Sequence, residues 1–329
     1  MRRRQFLYAL GGALTPWPTM VHAQQSAMPV IGLLSGQLPD VSATQVAAFH
    51  QGLKEASFVE GRNVAVESRW ANNDYSLLPA LTADLVQRRV SVIAAIAHGS
   101  TPAALAAKAA TKTIPIVFAV GGDPIETGVV NSLNRPSENV TGATFFANDL
   151  AAKRLALLHE LLPKATVVAV FVNANFPSAA TQLRDIQEAA RVLRVQTYVV
   201  NVGSDNELDA GFAGLVQRPA DAIFVGADPF ISSRQDRVIA LAARHQIPAI
   251  YDLRIATMAG GLISYGSDSL DTQRWAGVYA GRILKGEKPG DLPVLQPTKI
   301  DLVINLTTAK ALRLEIPAQL LARADEVIE

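Results

Sequence analysis

From Pro29 onward the chain alternates short apolar runs with amphipathic helical stretches, and this alternation limits the possible folds more than any other feature. PVIGLL leads into a helix near 41–57 and NVAVESRW into one near 76–89. VSVIAAIA leads into an Ala-rich helix after Thr101, and IPIVFAV follows it. Strands separated by helices of this length form right-handed βαβ units, which build a parallel sheet. Abundant Ala, Val and Leu, with only 6% aromatic residues, suit helices packed on buried parallel strands. Near ENVTGATFFANDL the alternation restarts, with ATVVAVFVN, VQTYVVNV, DAIFVGA and IPAIYDL as further strands. The stretch AAKAATKTIPIVFAVGGDP at 106–124 is echoed weakly by LAARHQIPAIYDL and AIFVGADPF. The 329 residues therefore read as an α/β protein with two similar, doubly wound parallel-sheet lobes. AGGLISYGS, LDTQRWAGVYAGRILKGE and PTKIDLVINL exceed what a second lobe needs, so the chain is expected to return to the first lobe and cross back. Several crossings make a hinge and a cleft.

The first residues are a separate object. MRRRQFLYALGGALTPWPTMVHAQQ has a basic start, a mildly apolar middle and a Val21-His22-Ala23 close, the layout of an export signal cleaved after Ala23. Arg3-Arg4-Gln5-Phe6-Leu7 resembles the twin-arginine motif, and Pro16 and Pro18 interrupt a stretch already short for a bilayer. Removing residues 1–23 takes away three arginines and no acids, leaving 27 basic against 29 acidic residues, a charge of −2. That balance, without a long basic run, argues against a nucleic-acid partner. There is no cysteine, so disulfides, thiolate metal sites, cysteine nucleophiles and a lipid-modified cysteine are all excluded. The expected location is the periplasm, and the expected state a monomer without cofactor or metal.

In open parallel α/β sheets the ligand sits outside the carboxyl ends of the strands. That rule selects Ser35-Gly36, Gly99-Ser100-Thr101 and Gly121-Gly122-Asp123 in lobe 1. In lobe 2 it selects Asn173-Ala174-Asn175, Gly226-Ala227-Asp228 and Tyr251-Asp252. Phe145 and Tyr265 fall on the expected crossing segments and, with Phe176, offer an apolar wall. Thr101 reads as an N-cap with Pro102 at the first helical position, so the free amides of that helix face an anion. No Lys follows in the G-x-x-x-x-G-K-[ST] spacing, and no G-x-G-x-x-G occurs at the first strand, so one carboxylate fits better than a polyphosphate. Ser100 and Thr101 are the expected carboxylate ligands, although Thr101 also reads as a plain helix cap. Asp228 and Asp123, each before a proline, are candidates for a ligand amine or ordinary turn residues. Asn173 and Asn175 either meet polar ligand atoms or form an Asx turn.

The mature sequence resembles the solute-binding components of ABC transporters, in the group described as tryptophan/tyrosine-type binding proteins. The resemblance runs through AAFHQGLKEASFVEGRNVAVESRWANNDYSLLPALTADLV, GSTPAALAAKAATKTIPIVFAVGGDPIETGVV, NVTG, VFVNANFPSA, GGLISYG and PTKIDLVINLTTAKAL, and covers residues 28–329. It implies the type I periplasmic-binding-protein fold, with three crossover strands forming the hinge. Lobe 1 would be 28–143 plus 267–297, and lobe 2 would be 144–266 plus 298–329. It further implies capture of a small carboxylate-bearing ligand by lobe closure, the ligand being an amino acid, aromatic ones included, or a related organic acid. The partners would be an inner-membrane permease and its ATPase. Family members that bind amino acids are expected to carry an acidic residue shortly after the strand matching IPAIYDL. Here the chain reads Tyr251-Asp252-Leu253-Arg254: Asp252 serves as that acid if the register slips, whereas Arg254 at the site would favour a second carboxylate or a ligand without an amine.

Two other classes share this fold pattern. A ligand-sensing domain for a membrane receptor would have the same lobes and cleft. An exported hydrolase would need a nucleophile and base, but no G-x-S-x-G elbow or H-E-x-x-H spacing occurs. His50, His159 and His245 fall in helices, and His98 lies two residues from Ser100, poor geometry for a base–nucleophile pair.

Overall fold

A computed structural model of the protein describes residues 28–97, 99–136, 139–145, 150–176 and 178–329. The expected export signal and His98 lie outside the described residues. Strands β1 (Val30–Ser35), β2 (Ala65–Trp70), β3 (Val92–Ala95), β4 (Ile116–Val120) and β5 (Val140–Thr144) form one parallel sheet in the order β2-β1-β3-β4-β5. Helices α1 (Ala43–Glu55), α2 (Leu78–Gln87) and α3 (Ser100–Ala110) connect its first four strands. Every residue of β3, β4 and β5 is buried, which is why β3 and β4 read as unbroken apolar runs. The edge strand β2 is only half-buried and mixes apolar with charged residues.

After α4 (Ala151–Leu161) come β6 (Val167–Val172), α5 (Ala179–Leu193), β7 (Gln196–Asn201), α6 (Asp205–Gly214) and β8 (Ala222–Val225). They are followed by α7 (Pro229–Ser233), α8 (Gln235–Arg244), β9 (Ala249–Tyr251), α9 (Arg254–Met258) and β10 (Ile263–Gly266). The last elements are α10 (Ser269–Leu284), β11 (Asp301–Asn305), α11 (Leu306–Ala311), α12 (Ala318–Leu321) and β12 (Glu326–Ile328). The second sheet has the order β12-β11-β10-β9-β8-β6-β7. Its β7-β6-β8-β9-β10 portion repeats the strand order of the first sheet, so the faint echo in the sequence reflects a shared topology. Only the β10–β11 pairing is antiparallel.

The chain passes between the two sheets three times: after β5, after β10 and before β11. The crossings are tied together. Leu295 bridges to Ala143 beside β5, the Thr144 amide donates to the Leu295 carbonyl at 2.9 Å, and the Ser267 hydroxyl donates to the Phe145 carbonyl. Helix α10 returns to the first sheet, where it packs on β3, β4 and β5 and runs against α1. The two helices meet backbone to backbone. A Cβ on Gly52 would lie 1.8 Å from the Arg274 carbonyl oxygen, and one on Gly277 would lie 2.0 Å from that of Phe49. Among the described residues no helix is long and apolar enough to cross a membrane.

Candidate functional site

The carboxyl ends of the two sheets enclose a cavity between the lobes of about 560 Å³, counting its open mouth. Lobe 1 contributes Gly99, Ser100, Thr101, Gly121 and Gly122, the Phe145 ring enters from the crossing after β5, and Gln273 of α10 closes one side. Lobe 2 contributes Phe176, Asp228, Ser232 and Asp252. Of the residues expected at the site, the fold thus gathers Gly99, Ser100, Thr101, Phe145 and Asp228 on one cavity.

Helix α3 begins two residues earlier than the sequence suggests. Its N-cap is Gly99, at φ +74°, so Ser100, Thr101 and Pro102 occupy the first three helical positions. Glycine adopts this left-handed backbone at little cost, whereas threonine there would be strained. The first intrahelical bond runs from the Ala103 amide to the Gly99 carbonyl at 3.4 Å, so the Ser100 and Thr101 amides precede it, and the helix dipole favours an anion there. The expectation for Ser100 needs correction in one respect. Its hydroxyl donates to the Ala119 carbonyl at 2.5 Å, which ties α3 to the end of β4 and uses up its proton. The Ser100 hydroxyl is therefore not free to donate to an anion at this helix end.

Across the cavity, Asp228 caps α7. Its Oδ1 accepts from the Ile231 amide at 2.9 Å, while its Oδ2 is buried without a hydrogen-bond partner. Burial pushes the Asp228 carboxyl up to about 6, and the Asp252 charge adds to the rise; the Ile231 and Phe230 amides and the neighbouring Asn173 side chain pull the other way. The turn carrying Asp228 is fixed by Gln182 of α5, whose amide oxygen accepts from the Ala227 amide at 2.9 Å while its nitrogen donates to the Ala227 carbonyl at 3.3 Å. Asp252, at the end of β9, is buried as well, and burial raises its carboxyl against the pull of the Arg154 guanidinium. Tyr75, from the turn after β2, stands with its ring against Gly36 and Gly99 and faces Asp228 from lobe 1. Gln182, Tyr75 and Arg154 escaped the sequence reading, because each acts from outside the strand ends on which that reading relied.

Several expected residues lie elsewhere. Ser35 is fully buried behind the cavity, its hydroxyl accepting from the Gln37 amide at 3.3 Å. Asp123 holds the turn after β4, accepting from the Ile125 amide at 2.7 Å, as the turn reading of its Asp-Pro context allows. Asn173 accepts from the Asn175 amide at 3.1 Å in an Asx turn that leaves Asn175 exposed, so Asn175 is off the site while the Asn173 side chain stays beside Asp228. The Tyr251 side chain packs into the core of lobe 2, because alternation along β9 sends it away from the cleft and turns Asp252 toward it. Tyr265 sits opposite Leu302 within the β10–β11 ladder, half-buried against the same lobe's core. Arg254 opens α9 and pairs with Glu326, its Nε 2.8 Å from the carboxylate; it lines a groove that adjoins the cavity through Gln45, Ser232, Leu253 and Ser269 but does not line the cavity itself. The cation expected there is neutralised elsewhere, and Asp252 is the residue of this strand end that reaches the site.

One contact spans the lobes at the rim of the cleft: the Thr181 hydroxyl of α5 donates to Glu126 Oε1 at 2.5 Å. Thr181→Ala should cost the closed form about 1 kcal/mol, a roughly fivefold weakening of ligand binding. Stopped-flow kinetics should show this as faster ligand release with little change in association.

Two α/β lobes of matching topology, with a cavity of facing polar groups between them and three crossings as a hinge, define a ligand-binding protein of the type I periplasmic-binding fold. The chain belongs to the ABC transporter substrate binding protein family, whose model matches residues 38–328. It is 29% identical over 267 residues to a tyrosine-binding protein of Clostridioides difficile (strain R20291), covering 81% of this chain and 76% of that one. A Streptococcus pneumonia ABC domain in complex with L-Trp superposes with a TM-score of 0.81 at 26% identity, covering 91% of this chain and 99% of that one. The ligand-free, open structure of a Clostridium difficile substrate binding protein with adhesive properties has the same identity, 26%, and the same coverage, 91% and 99%, but a TM-score of 0.64. The lobes here therefore stand nearer the arrangement of the Trp-bound relative.

Proposed function

We propose that this protein is the exported binding component of an ABC importer for an aromatic amino acid, which it captures by closing its lobes. The observation carrying this reading is the buried, unpartnered Asp228 Oδ2 in lobe 2, which shares a cavity with the N-terminus of α3 in lobe 1. An α-amino acid supplies the complement to both: its carboxylate takes the Ser100 and Thr101 amides and the Thr101 hydroxyl, and its ammonium takes Asp228. Phe145 and Phe176 then flank its side chain. Groups from both lobes are satisfied together only in the closed form, so the ligand shifts the equilibrium toward closure by its extra contacts there. The tyrosine-binding and Trp-bound relatives support the choice of ligand class.

In this reading residues 1–23 direct export through the twin-arginine route and are removed, and the protein acts as a periplasmic monomer. Lobe 1 comprises 28–143 with 267–297 and lobe 2 comprises 144–266 with 298–329. The closed lobes dock on the permease, whose ATPase drives transport, and no chemistry is done on the ligand. Thermal unfolding against amino acids, dicarboxylates and sugars tests the assignment. A ligand at a hundred times its Kd adds about 2.7 kcal/mol, readily seen as a raised midpoint. L-tyrosine or L-tryptophan should raise it, and a response confined to sugars or to acids without an amine overturns the proposal.

A further inference from the structure

Gln273 lies on the buried stripe of α10 with Ala276, Gly277 and Ala280, a polar side chain among small apolar ones. It is 2% exposed and lines the cavity. Its side-chain oxygen accepts from the Ala97 amide at 3.0 Å. Only the oxygen of a glutamine can face an N–H, so the side-chain amide has one orientation and its NH2 is the end left to the cavity. Among the described residues nothing accepts from that nitrogen. The contact that holds it is made at a strained position. Ala97 follows β3 with φ +63°, a left-handed backbone that a residue with a Cβ rarely adopts, and it lines the same cavity.

The charge of the wall determines what this NH2 can meet. Among the described residues lining the cavity there is no Lys, Arg or His, and the two charged ones, Asp228 and Asp252, are acids of the second lobe. An anion bound there is therefore held by neutral donors. The amides that open α3 are such donors, while the Ser100 hydroxyl is committed to the Ala119 carbonyl. Ala97 stands two residues before Gly99, the N-cap of α3, so the Gln273 amide reaches the cavity beside that helix end.

We propose that Gln273 is a ligand-binding residue, whose side-chain nitrogen donates to the same ligand carboxylate as the α3 amides. The inference rests on the amino-acid reading and adds to it a side-chain donor from the helix that returns to the first sheet. A neutral donor suits this site, because a cation in so small a cavity would pair with the acids opposite and cancel the charge that the ligand ammonium needs.

Gln273→Glu tests this directly, since it keeps an oxygen for the Ala97 amide and replaces only the NH2. Calorimetry at pH 8.5, where the introduced carboxyl is ionised, should show L-tryptophan weakened at least about 30-fold, because a donor to a charged group is lost and a carboxylate faces the ligand's own. A residue that merely braces Ala97 predicts unchanged affinity, and that result overturns the inference. Should Gln273→Glu fail to fold, Gln273→Met removes donor and acceptor together and should weaken L-tryptophan about tenfold. Unchanged affinity in the Met variant overturns the inference equally.

The second readout uses the unaltered protein labelled with nitrogen-15, its Gln273 side-chain signal assigned through the Gln273 backbone. On titration with acetate, which has the carboxylate but no ring to shift signals by its own field, one NH2 proton of Gln273 should move downfield. An unmoved proton overturns the inference. If neither L-tryptophan nor L-tyrosine binds the unaltered protein while acetate moves this proton, the amino-acid reading fails and Gln273 stands as an anion donor. If L-tryptophan binds the unaltered protein and Gln273→Glu alike, Gln273 is removed from the site and the amino-acid reading stands.

Discussion

Asp228→Asn should abolish high-affinity binding of the amino acid and, in the same protein, stabilise the ligand-free fold. Removing one partner of a buried ion pair costs about 2–5 kcal/mol, so affinity should fall by a factor of roughly 30 or more. Asparagine caps helices as well as aspartate does, so α7 keeps its first turn and the variant isolates the charge. The opposite effect on stability follows from the raised carboxyl. Its folded value, about 6, lies above the ordinary 3.8, so between those values the native state holds a proton that the unfolded chain has released. Stability of the ligand-free protein is therefore lost as pH rises from about 4 to about 6, and the loss persists at neutral pH. The neutral amide escapes that cost, which gives the variant a gain of about 1–3 kcal/mol at pH 7. Denaturant unfolding across this range should show the slope in the unaltered protein and its absence in Asp228→Asn. A variant that binds normally, or one less stable without ligand, contradicts the assignment.

The second large effect concerns the scaffold. Gly277→Ala places a methyl 2.0 Å from the Phe49 carbonyl oxygen, and since the obstacle is helix backbone, no side chain can swing aside. The helices α1 and α10 must separate, opening the packing of Phe49, Leu53, Ala276 and Ala280 in the core behind them. Overpacking a rigid contact costs about 1–3 kcal/mol and occasionally more, and here both helix backbones have to move, so about 3 kcal/mol is expected. Alanine favours helix by nearly 1 kcal/mol over glycine, which offsets only part of this. Denaturant unfolding should show a lower midpoint. An unchanged midpoint would mean that α10 does not rest directly on α1.

The parts of the fold legible in the sequence are those with a local cause. Strands buried on both faces give runs such as IVFAV, and the left-handed Gly99 stops β3 from merging with α3. The rule that ligands sit beyond strand ends then picked out Thr101 and Asp228, which line the cavity together with Phe145 from a crossing segment. It failed where the direction of a side chain decides. Tyr251 and Asp252 are neighbours in sequence, but one enters the core and the other the cleft. Arg254 looked like a site cation because its partner, Glu326, lies 72 positions away in a strand too short to recognise. Arg154 did leave a trace: it falls on the same helical stripe as Ala151, Leu155, Leu158 and Leu161, all buried. A charge on an apolar stripe marks either a misjudged helix or a buried polar contact, and the Val225 carbonyl at the end of β8, to which Arg154 donates, is brought there only in three dimensions.

Titration calorimetry with L-tryptophan, 3-(indol-3-yl)propionate and tryptophanamide, all at pH 7.5, tests the central claim most directly. The two analogues lack, respectively, the ammonium that Asp228 is to hold and the carboxylate that α3 is to hold. Tight binding of the amino acid alone, with both analogues weakened by at least a factor of about 30, is the predicted result. Equal affinity for the propionate would remove Asp228 from the site, and equal affinity for the amide would remove the helix end.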